Sequence, residues 1–428
     1  MSEEGLRHTI ADWIMEAALG GTDMSQLVEG TANHLLGIGV PLARTHVTFR
    51  TLHPAFESVS LIWRRGQSVS AQEFVHGLGT TDSWKRSPFA YMIEHKLRQV
   101  RRPLVGDSAL LDFPVLEDLL AEGFTDYFAM VIPFDTNGQG LLGNRPDGIA
   151  TSWVTDRVGG FSDSHIGALQ NAVPRLAVVC KLVIREQISR NVADTYLGKS
   201  AGRQVLGGHI RLGDYETFDA VAWFADLRDS TGRIERLGIK RYLALLNGFL
   251  ECTAGAAMAH GGEILAYPGD GVLAIFHDPD PTVAADTALT AAAEARRRLH
   301  DVNANLSALG QETLECGLAL HRGELAFGNI GTGGRQAFTV IGPTINVVNR
   351  LEEMSKHVPC PVLLSGAVAE WLPESALQLE PLGSHHIRGS EHPLAVFGAR
   401  DNVLLPYKAP PGYTETVLPS AAALLTPA

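Results

Sequence analysis

The stretch Val221-Ala222-Trp223-Phe224-Ala225-Asp226-Leu227-Arg228-Asp229-Ser230-Thr231-Gly232 decides how this chain reads. Its apolar run predicts a buried strand. The run ends on the carboxylate of Asp226, and a short polar loop leads into a helix. Loop amides and a helix N-terminus at such a place offer donors to phosphate oxygens. The same residues also read as an ordinary helix cap, made by Asp229 or Ser230.

Two further stretches sharpen the choice. In Gly262–Phe276 (GEILAYPGDGVLAIF) two apolar runs flank Gly269-Asp270-Gly271, a strong hairpin signal. Asp270 is then either a turn residue or a second carboxylate at a hairpin tip. Two carboxylates ending adjacent strands can hold one or two Mg2+ against a triphosphate. In Thr339–Leu351 (TVIGPTINVVNRL) a strand gives way to a helix that carries Asn346 and Arg350 four apart, hence on one face. An amide and a guanidinium there can serve a ribose and a phosphate, or form an ordinary solvated face.

Taken together with Leu318-Ala319-Leu320-His321-Arg322-Gly323 and Gly328-Asn329-Ile330-Gly331, these stretches closely resemble the catalytic domain of class III nucleotidyl cyclases. The shared pattern is an F-x-D-L loop, a G-D hairpin, an H-x-G strand followed by G-N-I-G, and T-V-I-G leading into N-x-x-x-R. It runs in order from Val221 to Leu364. The resemblance implies an α+β fold of ferredoxin-like type. It implies that Asp226 and Asp270, with the Leu227 backbone, hold two Mg2+ or Mn2+ per active site. It implies that Arg228, Asp229, Ser230 and Thr231 form the phosphate-binding loop, and that Asn346 and Arg350 act on the transition state. The activity implied is cyclisation of ATP to 3′,5′-cyclic AMP by a homodimer. The residues that select the base in this family correspond to Ala266, where a lysine is usual, and Thr339. Ala266 leaves a guanylate cyclase, or a nucleotide-binding module of low or no activity, as alternatives.

Residues 1–190 read as a separate α/β module. Helices are expected from about Ile10 to Gly20 and over Ser25–Leu36, Ser87–Lys96 and Pro114–Glu122. Strands are expected over Thr45–Leu52, Glu57–Trp63, Tyr127–Phe134 and Ile149–Val154. A long helix follows from Asp163, with Pro174 a kink or restart. This order resembles a GAF-type sensor, which implies an unidentified small ligand or partner. Residues 191–217 are expected to be a helical connector, 218–400 the catalytic domain and 401–428 a disordered tail. Within 218–400 the reading gives strand Ala220–Ala225, helix Ile234–Ala259, helix Thr282–Leu299, strands Leu314–Leu320 and Glu324–Asn329, and strand Pro361–Leu364.

Composition narrows the partners. Of 428 residues, 45% are hydrophobic and 19% charged, a globular balance that can bury sizeable cores. The net charge of −12, with no dense Lys/Arg stripe, argues against a nucleic-acid binder. Four cysteines without a C-x-x-C pair argue against a zinc knuckle or disulfide framework, and for a cytoplasmic protein. The apolar stretch Ala172–Ile184 reads as too short to insert in a membrane. Several motifs read as decoys: Gly138–Gly143 matches G-x-G-x-x-G but no helix follows promptly; His385-His386 lacks metal-ligand spacing; Arg296-Arg297-Arg298 reads as a solvated face; Leu243, Leu246 and Leu250 read as core.

Overall fold

The chain divides into two units, Met1–Thr195 and Tyr196–Ala428, each built on an antiparallel or mixed sheet. The computed structural model describes residues 3–53, 55–75, 82–134, 147–372, 379–387 and 392–405. The G-x-G-x-x-G match and most of the expected tail lie outside them.

The first unit opens with helices α1 (Glu3–Leu19) and α2 (Met24–Gly37). Asp23 and Gln26 start α2 with a reciprocal capping box. Strands β1 (Arg44–Arg50), β2 (Phe56–Arg64) and β3 (Ser70–Val75) follow, then α3 (Asp82–Lys85), α4 (Pro88–Glu94), β4 (Gln99–Pro103), α5 (Pro114–Ala121), β5 (Asp126–Pro133), β6 (Gly148–Thr155) and α6 (Asp163–Leu197). The strand order is β3-β2-β1-β6-β5-β4, and every neighbouring pair is antiparallel. The unit is therefore α+β, not α/β as its element order suggests. Hairpins, not helical crossovers, join most neighbouring strands. The short strands β3 and β4 have no apolar alternation to announce them; β3 is almost wholly exposed.

Both faces of this sheet are covered. Leu27, Leu35, Trp63, Trp153, Leu169 and Leu176 form one core, and Phe89, Met92, Leu116, Leu119 and Tyr127 another. Helix α6 runs through Pro174 unbroken, with the proline ring on its exposed side. Solvent reaches the carbonyl that a proline leaves without a donor. A cavity of about 570 Å³ lies within this unit, between the α1–α2 turn, β1–β3 and the Leu182–Asn191 segment of α6.

The second unit contains α7 (Lys199–Leu206), β7 (Tyr215–Leu227), α8 (Ser230–Leu237), α9 (Ile239–Ala259), β8 (Glu263–Ala266), β9 (Val272–Phe276), α10 (Pro281–Ala308), β10 (Cys316–Thr332), β11 (Arg335–Ile341), α11 (Pro343–Met354), β12 (Val362–Ser365), α12 (Gly366–Ala369), β13 (Glu380–His385), β14 (Leu394–Ala399) and α13 (Asp401–Leu404). The order β10-β7-β9-β8, all antiparallel, with α8, α9 and α10 as connections, is the βαββαβ ferredoxin-like arrangement. Strands β12, β14 and β13 extend the sheet beyond β10, β12 pairing parallel to it. Strand β11 folds back on the far half of β10 as a hairpin.

Four expectations change here. Residues 215–217, expected in a helical connector, belong to β7. The helix expected over Ile234–Ala259 is two helices, α8 and α9, parted at Gly238. The two strands expected over 314–329 are one 17-residue strand. Residues 401–404 are helical, and the buried Leu404 ties them to the core; burial of that one side chain outweighs the polar flanking composition. The core face of α9 is Tyr242, Leu245, Phe249, Cys252 and Ala256, so Leu246 and Leu250 lie at its edge and Leu243 faces solvent. Trp223, fully buried on β7, anchors that core.

One buried network in the first unit is directly testable. Asp126, 1% exposed, accepts hydrogen bonds from Arg101 Nη2 at 2.7 Å and from the Phe161 amide at 3.0 Å. Asp126→Ala leaves the Phe161 amide without an acceptor and the Arg101 guanidinium with the Phe161 carbonyl but no counter-charge at this site, and should cost about 3 kcal/mol in urea unfolding of the chain.

Candidate active site

Strand pairing brings the two predicted aspartates together. Asp226 is the penultimate residue of β7, and Ala225 pairs with Val272 at the start of β9. Asp270 ends the tight turn just before β9, so both carboxylates sit at one end of neighbouring strands. A side chain at position 271 would crowd the Asp226 carboxylate (its Cβ 3.1 Å from Asp226 Oδ1) and the Ala225 carbonyl; glycine permits the close approach. Burial pushes the Asp226 carboxyl above its usual range, and the negative charge of Asp270 adds to this. The charges of Lys356 and Arg228 and the Leu227 amide act in the other direction. Asp270 Oδ2 is buried without a hydrogen-bond partner. Among the described residues no group of three or more His, Cys, Asp or Glu is placed to hold a metal, so the donors here are a pair of carboxylates. Such hard oxygens suit Mg2+ or Mn2+, and the unpartnered Asp270 oxygen leaves a ligand position for one.

The loop after Asp226 departs from expectation. The Arg228 guanidinium turns inward. Its Nη1 lies 2.6 Å from Glu352 Oε1 on α11, an ion pair, and its Nη2 donates to Ser355 Oγ. Glu352 is 2% exposed. Arg228 is thus spent inside the protein and not presented to a phosphate. Burial pushes the Glu352 carboxyl up, against the pull of Arg228. Asp229 adopts a left-handed backbone (φ 58°) at the start of α8, makes no cap hydrogen bond, and pairs its exposed carboxylate with Arg236 at 2.8 Å. The Arg236 hydrogen bond holds the Asp229 carboxyl below its usual range. Asp229 thus occupies the N-cap position without capping through its side chain, and Ser230 is the first residue of α8 and not its cap. Ser230 and Thr231 open α8, where their amides lack intrahelical partners.

Helix α11 carries Asn346 and Arg350 on its exposed face, opposite the buried Val347, Val348 and Leu351. Arg350 pairs with Glu353 on its own helix at 2.8 Å. Among the described residues, no hydrogen bond or ion pair joins Asn346 or Arg350 to the aspartates. The helix is fixed to the sheet at both ends. Thr344 Oγ1 donates to the Glu324 carbonyl at 2.7 Å, and Glu352 and Ser355 reach Arg228 above Gly317. Ala266 is exposed at the end of β8, and Thr339 is half-buried on β11 opposite Gly328. Their chain neighbours Leu265 and Val340 pack against the same cluster of Ala220, Ile275 and Leu325.

Sequence reasoning missed Glu352, Ser355 and Gly317. Glu352 and Ser355 lie six and nine residues beyond Asn346, and only the fold returns them to Asp226. Of the decoys, Arg296 binds Asp401 at 2.7 Å and Arg298, 1% exposed, binds Glu294 at 2.7 Å. That run is packed, not solvated, because α10 is covered by α9 and α13. His385 Nε2 lies 2.9 Å from the Leu382 carbonyl. The four cysteines are free and buried, and burial pushes the Cys180, Cys252 and Cys316 thiols up to about 12. Helices α6 and α9 are long and apolar enough to cross a membrane by length and composition, α6 extending on both sides of Ala172–Ile184; about half of each such window is buried inside the protein.

No protein-family model matches the chain. Adenylate cyclase 1 of Rhizobium meliloti is 26% identical over 233 residues, covering 54% of this chain and 33% of that protein. The adenylate cyclase of Anabaena cylindrica is 28% identical over 223 residues, covering 49% and 43%. The chain carries a domain similar to class III nucleotidyl cyclase catalytic domains. It spans less than half the length of these two relatives. Among solved structures, the adenylyl cyclase CyaB from P. aeruginosa aligns at TM-score 0.40 and 23% identity over 43% of this chain and 95% of its own. The guanylyl cyclase Cya2 aligns at TM-score 0.39 and 25% identity over 43% and 92%.

The electrostatics of the cyclase-like site make a stability prediction. Asp226 has a higher pKa folded than unfolded, so its ionisation costs stability once pH rises through the folded value. Asp226→Asn should therefore raise the melting temperature at pH 7, and the gain should shrink as pH falls toward 4. Mg2+ or Mn2+ should raise the melting temperature of the wild type and not of the variant, by differential scanning calorimetry.

Proposed function

We propose that the chain is a homodimeric adenylate cyclase that converts ATP to 3′,5′-cyclic AMP and pyrophosphate. The observation that carries this is the pair of adjoining strand-end carboxylates, Asp226 and Asp270, one oxygen of it buried and unpartnered. In this reading the two carboxylates and the Leu227 carbonyl hold two divalent cations. Bound there, Mg2+ or Mn2+ lowers the pKa of the ribose 3′-hydroxyl and neutralises the polyphosphate. The chain's own groups do the rest. The α8 amides, with the Ser230 and Thr231 hydroxyls, receive phosphate oxygens. The Asn346 amide orients the ribose, and Arg350 donates to the α-phosphate oxygens as the 3′-hydroxyl attacks in line.

Asn346 and Arg350 lie on the exposed face of α11, and among the described residues no hydrogen bond or ion pair joins them to the aspartates of their own chain. A two-fold dimer supplies the missing half: aspartates from one protomer, Asn346 and Arg350 from its partner.

In the same reading residues 1–190 are a GAF-like sensor, supported by its six-stranded antiparallel sheet, and its cavity receives a small ligand. ATP as substrate places the protein in the cytoplasm, with α6 and α9 serving as core helices and not as membrane spans. Ala266 favours a second reading of the base. Adenine N1 needs a donor that alanine lacks, while the Thr339 hydroxyl can serve adenine or guanine. Guanylate cyclase activity, or slow turnover, is the alternative.

Product analysis with ATP and GTP, each with Mg2+ and Mn2+, tests the reading; no cyclic nucleotide under any condition overturns it. Ala266→Lys should raise the ATP-to-GTP ratio of kcat/KM by about tenfold, one hydrogen bond's worth. Asp226→Asn and Arg350→Ala should each lower turnover at least ~100-fold. An equal mixture of these two variants should recover about a quarter of wild-type activity, because half the dimers are mixed and each keeps one complete site. No recovery in a mixture shown to exchange subunits excludes composite sites.

A further inference from the structure

We infer that Glu352 is a positioning residue that keeps the Arg228 guanidinium off the Asp226 carboxylate and so keeps Asp226 open to a divalent cation. This rests on the metal-binding reading of Asp226 and Asp270.

Arg228 lies two residues beyond Asp226, and its side chain is long enough to fold back onto that carboxylate. An Arg228–Asp226 pair would occupy the oxygens a cation needs, and guanidinium binds carboxylate in a two-pronged geometry that a weakly held metal would have to displace. Three features prevent the pair. Glu352 Oε1 lies 2.6 Å from Arg228 Nη1. Ser355 Oγ accepts from Arg228 Nη2 and itself donates to the Glu352 carbonyl at 2.6 Å, which fixes its lone pairs toward the arginine. Gly317, directly opposite Asp226 in the β7–β10 pairing, leaves the space in which the guanidinium, the carboxylate and the hydroxyl meet; a Cβ there would overlap all three. The cluster therefore sits one strand away from Asp226. Glu352 is buried, and its Oε1, the oxygen nearest Arg228, is shielded from solvent, an expensive place for a charge unless the guanidinium is held beside it.

The test is Mn2+ binding to the full chain, followed by electron paramagnetic resonance without nucleotide, with melting temperatures to confirm folding. Glu352→Gln should raise the Mn2+ Kd by about tenfold, because an unneutralised Arg228 turns to Asp226. The double variant Arg228→Met/Glu352→Gln removes the competing cation and should return the Kd to within about threefold of wild type. A folded Glu352→Gln protein with wild-type Mn2+ affinity overturns the inference, as does a double variant as weak as Glu352→Gln alone. Should Glu352→Gln not fold, Glu352→Asp keeps the charge but draws it back by one methylene, and a Kd raised about threefold is expected; an unchanged Kd overturns the inference. If wild type shows no Mn2+ site that Asp226→Asn abolishes, the metal reading of the aspartates fails and the inference with it. An unaltered Glu352→Gln on a working wild-type site sinks the inference alone.

Discussion

The β7–β10 pairing is the constraint on which the second unit depends. It runs for thirteen residue pairs, from Cys316 opposite Leu227 to Gly328 opposite Tyr215. Because side chains alternate along a strand, a slip of one residue would reverse every face at once: Trp223 would leave the core, and Asp226 would lose its place beside Asp270. Nearly everything else hangs on this ladder. Strand β9 is registered against β7, α11 is fixed to β10 at Glu324 and above Gly317, and β12 lies parallel to the same strand. The two carboxylates stand at the sheet's end, on elements registered by its central ladder.

Legibility in the sequence followed the range of the interactions involved. The strand ending in Asp226, the Gly-Asp-Gly turn and the Asn346–Arg350 spacing are local, and the structure places each on the expected element. What the sequence hid is set by partners distant along the chain. Arg228 reads as a phosphate ligand beside Ser230 and Thr231, because nothing nearby announces a carboxylate 124 residues later. The same applies to Arg298, whose burial depends on helices packed over α10. The edge strands β3, β4 and β13 are hidden for another reason: short, exposed or polar strands have no periodicity to read. In the first unit the element order was legible but the direction of its strands was not.

The site combines opposed electrostatic demands. Two carboxylates are drawn together at the expense of mutual repulsion, and two cations, Lys356 and Arg228, stand close enough to offset it. One of those cations is itself neutralised by a buried glutamate. The result is a pair of carboxylates whose repulsion is only partly offset, and a helix that carries Asn346 and Arg350 on its exposed face.

The segment between the units has a practical bearing on how this protein can be divided. Ser200, at the start of α7, donates both its amide and its hydroxyl to the Glu263 carboxylate on β8, at 2.8 and 2.5 Å. Further on, the Asn329 side chain donates to the His209 carbonyl, and the backbones of Gly213 and Asp214 bond to Asn329. Residues 198–214 are therefore not a tether but the outer wall of the second unit. A fragment cut at Gly202 would leave Glu263 without both donors beside β8, whose last residue is Ala266. The place to sever the chain is upstream of Gly198, where the last residues of α6 make no such bonds.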